Sequence, residues 1–240
     1  MSAPPLSVVI PAYNEAERLP RTLERVTAYL AGRGLAHEIV VVDDGSTDGT
    51  AERARSCGGP ALAVLRHEPN RGKGYAVRRG MLAARGERRL MTDADLSTPI
   101  EELARLEAAL AAGHDVAIGS RAVPGANVEV HQPWYREAMG RLFNRLVRLL
   151  VLPGLRDTQC GFKLFTARAA ETAFSAALLD GFSFDVEALY IARRHGLGVV
   201  EVPVTWRNDA ATRVGLMRGG LAFLDLLRIR ANALAGRYRS

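Results

Sequence analysis

The 240-residue sequence predicts an α/β fold with a mostly parallel central sheet flanked by helices. Short runs of β-branched and aliphatic residues alternate with segments whose apolar residues recur at helical spacing. The β-rich runs are apolar at nearly every position, which is typical of strands that helices cover on both faces. With 48% hydrophobic residues, the chain has enough apolar material for such a core.

The first half of the chain shows the alternation most clearly. In chain order, the predicted strands are LSVVIPA at 6–12, HEIVVVDDG at 37–45, ALAVLRH at 61–67, ERRLMTDAD at 87–95 and DVAIGSR at 115–121. Helices are predicted over 15–31, after the capping stretch at 46–49, over 74–85 and over 100–112. In the first helix, Leu19, Leu23 and Val26 recur at the spacing of one helix face.

The second half, residues 122–240, is less regular and contains two basic amphipathic segments. Residues 137–152 place Arg141, Arg145 and Arg148 on one stripe, and residues 216–240 mix arginines with leucines. Such helices are typical of proteins that lie on a membrane surface. The alternative is a helix that packs on the core and turns its arginines to solvent.

Polar residues cluster where the predicted strands end. YNE follows the first strand, DDGS the second, DAD the fourth and GSR the fifth. The carboxyl ends of parallel strands meet at one edge, where open α/β sheets bind ligands, so we expect one site there. The pair Asp93 and Asp95 is either a solvated turn or a metal site, because two adjacent carboxylates repel each other unless a cation shares them.

Charge and cysteine content limit the protein's surroundings. The net charge of +6 suits a polyanionic partner: a nucleic acid, an anionic lipid or a substrate that carries phosphate. Two cysteines, Cys57 and Cys160, give no disulfide framework and suit a reducing compartment. We find neither a run of 18 apolar residues nor a secretory signal, so we expect a cytoplasmic protein that does not span a membrane.

Six stretches, taken together in their order and spacing, resemble the family 2 glycosyltransferases of the GT-A fold. They are VVIPAYNE, EIVVVDDGSTDGT, NRGKGYAVRRGML, DADLSTP, GSR and RDTQCGFKLF. Within that family, the chain is most similar to the polyprenyl-phosphate glycosyltransferases, especially those that make dolichyl-phosphate glucose. The similarity covers roughly residues 6–210.

The resemblance implies a donor site at the first two strands. Pro11, Tyr13 and Glu15 match the motif that surrounds the nucleoside, and Asp43 matches the acid that contacts the edge of the base. Asp44 is then expected to support the same loop.

The same resemblance implies that Asp93 and Asp95 bind Mg²⁺ or Mn²⁺ together with the donor diphosphate. Ser97 stands where mannosyl relatives often have glutamine, so a metal contact from this shorter side chain is not expected. Lys73 in RGKG could reach the donor, and a solvated loop lysine is the alternative.

Acceptor residues are implied in the second half. Arg121 and Arg136 match arginines that surround phosphates in relatives, and a structural ion pair is the alternative for Arg136. Asp157 begins a shared motif in which Gln159 and Lys163 line the acceptor region.

Other residues near these motifs are interpreted as structural. Cys160 is expected to be a packed small residue and not a nucleophile. Asp185 and Glu187 resemble a segment behind the acceptor site, and Trp206 is expected to pack in the core.

These implications describe residues 1–121 as a nucleotide-sugar-binding half and 122–240 as an acceptor-binding half of a single GT-A domain. The expected reaction is inverting transfer of glucose from UDP-glucose to a polyprenyl phosphate at the cytoplasmic face of an anionic membrane. GDP-mannose as donor, or a saccharide hydroxyl as acceptor, are the alternatives. A nucleic-acid partner is not expected, because no module signature accompanies the basic charge.

Overall fold

The computed structural model describes residues 3–130, 133–208 and 216–238. Its strands are β1 (Leu6–Ala12), β2 (His37–Asp43), β3 (Leu62–Arg66), β4 (Arg88–Thr92), β5 (Val116–Ser120), β6 (Asn127–Val130), β7 (Phe162–Thr166), β8 (Val199–Pro203) and β9 (Thr205–Arg207). Its helices are α1 (Leu19–Gly32), α2 (Thr50–Ser56), α3 (Lys73–Ala83), α4 (Leu103–Ala111), α5 (Trp134–Leu150), α6 (Ala167–Ser175), α7 (Phe184–Arg194) and α8 (Leu216–Leu234). A short 3₁₀ turn, Ile100–Glu102, precedes α4.

Within these residues, seven strands form one sheet in the order β3-β2-β1-β4-β7-β5-β8. Neighbouring strands are parallel except that β7 is antiparallel to both β4 and β5. A separate parallel pair is formed by β6 and β9. The residues that follow β1, β2, β4 and β5 therefore meet at one edge, and the residues that precede β7 reach the same edge.

Helices cover both faces of the sheet, as the apolar strands predict. Successive residues of a strand point to opposite faces. In β1, Val9 packs in the core cluster that contains Ala76 of α3, whereas Val8 and Ile10 pack in the cluster that contains Leu23 of α1. The prediction of a sheet buried on both faces is confirmed.

All five predicted strands are present, with differences at their ends. The predicted strand 87–95 ends at Thr92, so Asp93 and Asp95 lie in the turn that follows it. The predicted helix 15–31 begins at Leu19, because Glu15 forms a turn in which its carbonyl accepts from the amides of Arg18 and Leu19.

The second half differs more from expectation. The helix predicted over 137–152 begins earlier, at Trp134, directly after Pro133. The predicted basic segment 216–240 forms α8, and its last two residues lie outside the described chain. In the described ranges, no helix is both long and apolar enough to cross a membrane.

Candidate active site

A cleft of about 940 Å³ opens at the carboxyl edge of the sheet. Its floor is formed by the residues that follow β1 and β4. Its sides are formed by the start of α3, by α8 and by an irregular stretch between α6 and α7 at residues 178–182, which we call the wall segment. Seven predicted site residues line this cleft: Pro11, Tyr13, Glu15, Asp44, Lys73, Asp93 and Asp95.

The turn after β4 holds the two aspartates in place. The amide of Asp93 donates to the carbonyl of Gly161 at 3.1 Å, and the amide of Ser97 donates to Asp95 Oδ1 at 2.9 Å. Leu96 has φ of 46°, a left-handed conformation that is costly for a side chain of this size. The sharp turn keeps both carboxylates at the cleft floor.

Lys73 supplies the positive charge beside this pair. Its Nζ lies 2.6 Å from Asp93 Oδ1, and only about a quarter of its side chain, 26%, is exposed. Burial alone would lower the pKa of Lys73, but the charges of Asp93 and Asp185 raise it above its ordinary value. Lys73 is therefore a charged residue at the first turn of α3, and the alternative of a solvated loop lysine is wrong.

Asp95 has no cation of its own among the described residues. Burial, followed by the charge of Asp93, raises the pKa of its carboxyl. Asp93 Oδ1 is buried without a hydrogen bond of acceptable geometry, despite the nearby ammonium of Lys73. The negative charges of the two carboxylates are therefore only partly neutralised by protein groups, and their oxygens are available to bind a cation.

The carboxylate oxygens of Asp93 and Asp95 are suitable ligands for Mg²⁺ or Mn²⁺. These ions prefer oxygen ligands and take further ones from substrate phosphates. In the described part of the chain, no group of three or more His, Cys, Asp or Glu side chains forms a complete metal cage. Asp93 and Asp95 would therefore bind the ion as a pair, with the remaining ligands supplied from outside the protein.

Asp44 organises the loop between β3 and α3. Its carboxylate accepts from His67 Nε2 at 2.7 Å, from Asn70 Nδ2 at 2.9 Å, and from the amides of Arg71 and Gly72 at 2.8 and 2.9 Å. The sequence implies that Asp44 supports the loop that carries Asp43, whereas in the structure its carboxylate holds the loop between β3 and α3. The supported loop leads directly into Lys73.

Asp43 lies behind the cleft lining and is fully buried. Its Oδ1 accepts from the amide of Ser46 at 2.9 Å, and its Oδ2 lies 3.6 Å from Arg66 Nε without a hydrogen bond. One carboxylate oxygen thus lacks a donor. Contact with the edge of a base stays a prediction for this residue.

A comparison of the sequence with family models gives a separate result. Residues 7–174 match the model described as glycosyl transferase family 2. The chain belongs to glycosyl transferase family 2. Membership makes the protein a sugar-transferring enzyme, and the resemblance seen in the motifs is confirmed.

Curated relatives of this glycosyltransferase cover nearly its whole length. It is 37% identical to the dolichyl-phosphate β-glucosyltransferase of Homo sapiens over 98% of this chain and 77% of the relative. Identity to the Saccharomyces cerevisiae protein of the same name is 34%, over 98% of this chain and 76% of that one.

Solved structures of low sequence identity share the GT-A fold with this glycosyltransferase. Mannosyl-3-phosphoglycerate synthase from Rubrobacter xylanophilus superposes with a TM-score of 0.74 at 21% identity, over 99% of this chain and 76% of that one. Glucosyl-3-phosphoglycerate synthase from Mycobacterium tuberculosis, in complex with Mn²⁺ and UDP-glucose, gives 0.67 at 19% identity, over 98% and 79%.

Among the predicted acceptor residues of the glycosyltransferase whose side chains the structure describes, Arg121, Gln159 and Lys163 are absent from the lining of the cleft. Arg121 donates through Nε and Nη2 to both carboxylate oxygens of Asp157, at 2.7 and 2.9 Å. The amide of Gln159 donates to Asp157 Oδ1 at 3.2 Å. Arg136 lies in the first turn of α5, but its side chain is not among those that the structure describes.

The expected contact of Lys163 with an acceptor needs correction. Lys163 is 1% exposed in the middle of the sheet, and its Nζ lies 2.7 Å from Asp185 Oδ1 and donates to the carbonyl of Cys160 at 2.5 Å. The side chain balances a buried carboxylate and does not reach the cleft. Cys160 is fully buried, and burial raises the pKa of its thiol to about 11, which fits the expected packing role.

The sequence interpretation missed the contribution of α8 and of the wall segment. Asp225 and Arg228 of α8 line the cleft, and Arg228 Nη1 donates to Asp225 Oδ1 at 3.0 Å. A usable signal existed in LDLLR, where one acid interrupts a leucine run at a position that proves to be buried. The wall segment has no motif of its own and could be found only from the tertiary structure.

Proposed function

We propose that this glycosyltransferase moves glucose from UDP-glucose to the phosphate of a polyprenyl lipid, dolichyl or undecaprenyl, and gives a β-linked lipid-phosphate sugar. The observation that carries the proposal is the match to dolichyl-phosphate β-glucosyltransferases over 98% of the chain. A cleft that contains two carboxylates and a lysine at the carboxyl edge of the sheet supports it independently.

On the donor side, Pro11, Tyr13 and Glu15 would surround the nucleoside, since all three line the cleft. Asp93 and Asp95 would hold Mg²⁺ or Mn²⁺. When bound, the ion supplies positive charge that stabilises the departing diphosphate. Lys73 adds a fixed positive charge beside Asp93 and would attract the same diphosphate.

On the acceptor side, the proposed reaction needs no protein base. A phosphate monoester has a second pKa of about 6 and is mostly a dianion at neutral pH. Its oxygen can attack the anomeric carbon on the face opposite the leaving group, which inverts the configuration. The protein then contributes alignment and charge stabilisation.

The pairing of Asp157 supports this mechanism. Both of its carboxylate oxygens accept from Arg121. Burial alone would raise the pKa of Asp157, but the charge and hydrogen bonds of Arg121 lower it below its ordinary value. A carboxylate held in this way is a poor proton acceptor, so we assign Asp157 to fixing Arg121. Arg121, Arg136 and Gln159 remain our proposed contacts for the acceptor phosphate.

A lipid acceptor requires access to a membrane, and the α5–α8 surface is suited to that. The two helices pack on each other through Phe143 and Phe223, whose ring centroids are 5.5 Å apart. Large apolar side chains nevertheless remain exposed on both: Trp134, Met139, Leu142 and Leu149 on α5, and Leu224, Leu227 and Leu234 on α8.

Arginines flank these exposed side chains, including Arg141 and Arg145 on α5 and Arg228 and Arg230 on α8. Basic residues near an anionic leaflet each contribute about 1 kcal/mol of attraction. We propose that this surface docks the enzyme peripherally on the cytoplasmic face of an anionic membrane. Of the two alternatives that the sequence left open, exposed leucines among the arginines favour docking over a simply solvated face.

The decisive experiment is transfer from a panel of labelled UDP- and GDP-sugars into a butanol-extractable lipid fraction, with polyprenyl phosphate and Mg²⁺ or Mn²⁺. Label from UDP-glucose in an acid-labile lipid is expected. Label from GDP-mannose would instead identify a mannosyltransferase. Release of nucleotide with water-soluble product would mean that the acceptor is a hydroxyl compound and that the proposal is wrong.

A further inference from the structure

The wall segment is irregular backbone that a buried carboxylate holds from behind. Glu187 of α7 is fully buried. Its Oε2 accepts from the amide of Leu178 at 2.9 Å and from the amide of Leu179 at 2.8 Å. One carboxylate oxygen therefore fixes two successive residues that line the cleft.

The other oxygen of Glu187 is bound to the end of the described chain. The hydroxyl of Tyr238 donates to Glu187 Oε1 at 2.7 Å, and Tyr238 is fully buried. Asn232 Nδ2 donates to the same hydroxyl at 3.3 Å. The backbone carbonyl of Tyr238 lies 3.0 Å from His195 Nε2. Hydrogen bonds of Tyr238 thus link the residues after α8 to Glu187 in α7 and to His195 at its end.

Burial of Glu187 is energetically costly, and its partners offset that cost. Burial raises the pKa of the Glu187 carboxyl, and hydrogen bonds from Tyr238, Leu179 and Leu178 oppose the rise. A buried carboxylate that loses one donor is stabilised less well in its position. The Tyr238 hydroxyl is the one donor of this set that belongs to the chain after α8.

From the wall segment, contacts continue to the start of α3. The carbonyl of Asp180 accepts from the amides of Gly74 and Tyr75 at 2.8 and 3.3 Å. Arg78 donates to the carbonyl of Ala177 at 3.1 Å and to Asp180 Oδ1 at 2.7 Å. The wall segment thus supplies acceptors to the first turn of α3, where backbone amides have no partner within the helix.

Lys73 lies between two glycines that touch the wall segment. A Cβ added at Gly72 would meet the carbonyl oxygen of Asp180 at 2.5 Å, and one added at Gly74 would meet that of Leu179 at 2.6 Å. Both glycines permit a backbone approach that no other residue would allow. A shift of the wall segment must therefore move the backbone that carries Lys73.

We propose that Glu187 and Tyr238 are positioning residues for the donor side of the cleft. Through the wall segment, they hold Lys73 beside Asp93, where the diphosphate of a nucleotide sugar would bind. Neither side chain lines the cleft, so both act through other residues. This inference rests on the proposed function, because it requires a nucleotide sugar in this cleft.

The test is Tyr238→Phe, which removes one oxygen atom and keeps the buried ring. We expect the KM for UDP-glucose to rise about tenfold, equivalent to ~1.4 kcal/mol. The KM for polyprenyl phosphate and kcat should stay nearly unchanged, whereas the melting temperature should fall by a few degrees, because the buried carboxylate of Glu187 loses a donor. Hydrogen exchange at the amides of Leu178 and Leu179 should accelerate, since their acceptor is less well fixed.

Two further variants separate positioning from general packing. Tyr190→Phe is the matched control. The Tyr190 ring packs against the Tyr238 ring, with 6.1 Å between centroids, but its hydroxyl makes none of the hydrogen bonds that hold the wall segment. The Tyr190→Phe variant should leave the KM for UDP-glucose unchanged. Glu187→Gln keeps an oxygen that accepts from the wall amides and should be milder than Glu187→Ala. If Glu187→Ala fails to fold, the other variants still decide the question.

Calorimetric titration with UDP and Mn²⁺, in the absence of acceptor, distinguishes failure of this inference from failure of the proposed function. Weaker UDP binding by Tyr238→Phe than by the wild type would support positioning, whichever acceptor the enzyme uses. Unchanged UDP affinity together with unchanged exchange at residues 178 and 179 would overturn it. An equal rise in the KM values of donor and acceptor would also overturn it.

Discussion

Arg121 and Asp157 form a two-point ion pair at the side of the cleft, with Nε to Oδ2 at 2.7 Å and Nη2 to Oδ1 at 2.9 Å. The backbone amide of Arg121 adds a third hydrogen bond to Asp157 Oδ2 at 3.0 Å. Asp157 is 1% exposed, so the pair is largely desolvated on its acidic side. The two residues therefore behave as one unit, and changing either one affects both.

Asp157→Asn should lower the free energy of unfolding by about 3 kcal/mol, because it leaves the Arg121 charge without its partner. Urea unfolding followed by circular dichroism measures this loss. Glu101→Gln is the control, since Glu101 pairs with Arg25 at 3.4 Å on the exposed surface; its effect should be below about 1 kcal/mol.

The same variant tests the absence of a protein base. At a temperature where Asp157→Asn is folded, kcat should fall by no more than about tenfold, because the acceptor phosphate is already deprotonated. A loss of several orders of magnitude in the folded variant would make Asp157 the base and contradict the mechanism.

Gly161→Ala should displace the carboxylate of Asp93 without unfolding the protein. A Cβ at Gly161 would overlap the carboxylate oxygens of Asp93, which lie at the movable end of a side chain. We expect metal-dependent UDP binding to weaken at least tenfold, about 1.4 kcal/mol, by calorimetry.

Gly140→Ala is the matched control for that variant. Gly140 lies in α5, and a Cβ there would have no neighbour within 4 Å. Helix propensity predicts a stability gain of up to about 1 kcal/mol and no change in UDP binding. If both variants bind UDP as the wild type does, the position of Asp93 is not important for the nucleotide.

Asp95→Asn should separate stability from activity. Asp95 is half-buried beside a like charge, so replacing its carboxylate with an amide removes a repulsion. Without divalent metal, the variant should melt at or above the wild-type temperature, while its turnover falls at least about 100-fold. Added Mn²⁺ should raise the melting temperature of the wild type more than that of the variant. A variant that loses metal-free stability would contradict this account.

Ionised Glu38 should stabilise the folded protein, and this contribution to the free energy of unfolding should be lost at acidic pH. Burial would raise the pKa of its carboxyl, but hydrogen bonds from Ser7 and Arg85 lower it below the ordinary value of 4.5. A lowered folded-state pKa gives stability that is present above the unfolded-state value and is lost as pH falls through the folded-state value.

Glu38→Gln should therefore lower the unfolding free energy at neutral pH by about 1–2 kcal/mol. The difference from the wild type should shrink as pH falls below about 4.5. Denaturant unfolding at several pH values measures it. Glu24→Gln, at an exposed position of α1, should change stability by less than about 0.5 kcal/mol. A pH-independent difference for Glu38→Gln would exclude the carboxylate as the cause.

The double variant Leu142→Ser and Leu227→Ser tests the α5–α8 surface. Their side chains are 49% and 59% exposed, and burying them in a lipid interface is favourable. Flotation with anionic vesicles should show at least tenfold weaker binding, about 1.4 kcal/mol. Leu82→Ser, at a 44% exposed position of α3, should bind vesicles as the wild type does. Equal flotation of all three proteins would exclude this docking surface.

The sequence predicts many of the residues that line the cleft after β1 and β4, because local signals are strong there. Apolar runs that end on acids define both β2 and the Asp93–Asp95 turn, and strand direction then brings their ends together. The partners of these acids were less accessible to prediction. That Lys73 pairs with Asp93 depends on where α3 begins, and the structure alone determines it.

The second half was harder to predict because its decisive contacts are distant in sequence. FKLFT, the sequence of β7, is a short apolar run, and only pairing with β4 and β5 shows that it inserts antiparallel between them. This insertion also explains why Lys163 is buried. The contact between Glu187 and Tyr238 joins residues 51 positions apart, and no local pattern encodes it.

The position of β7 has a consequence for the order in which the molecule can be assembled during synthesis. Before β7 is present, β3-β2-β1-β4 and β5 have no common neighbour, because β4 and β5 both pair with β7 and not with each other. The ribosome must therefore synthesise about two thirds of the chain before these two parts of the sheet can join through β7. The carbonyl of Gly161, which accepts from the amide of Asp93, is synthesised in the same step, so a nascent chain cannot complete the Asp93–Asp95 turn early.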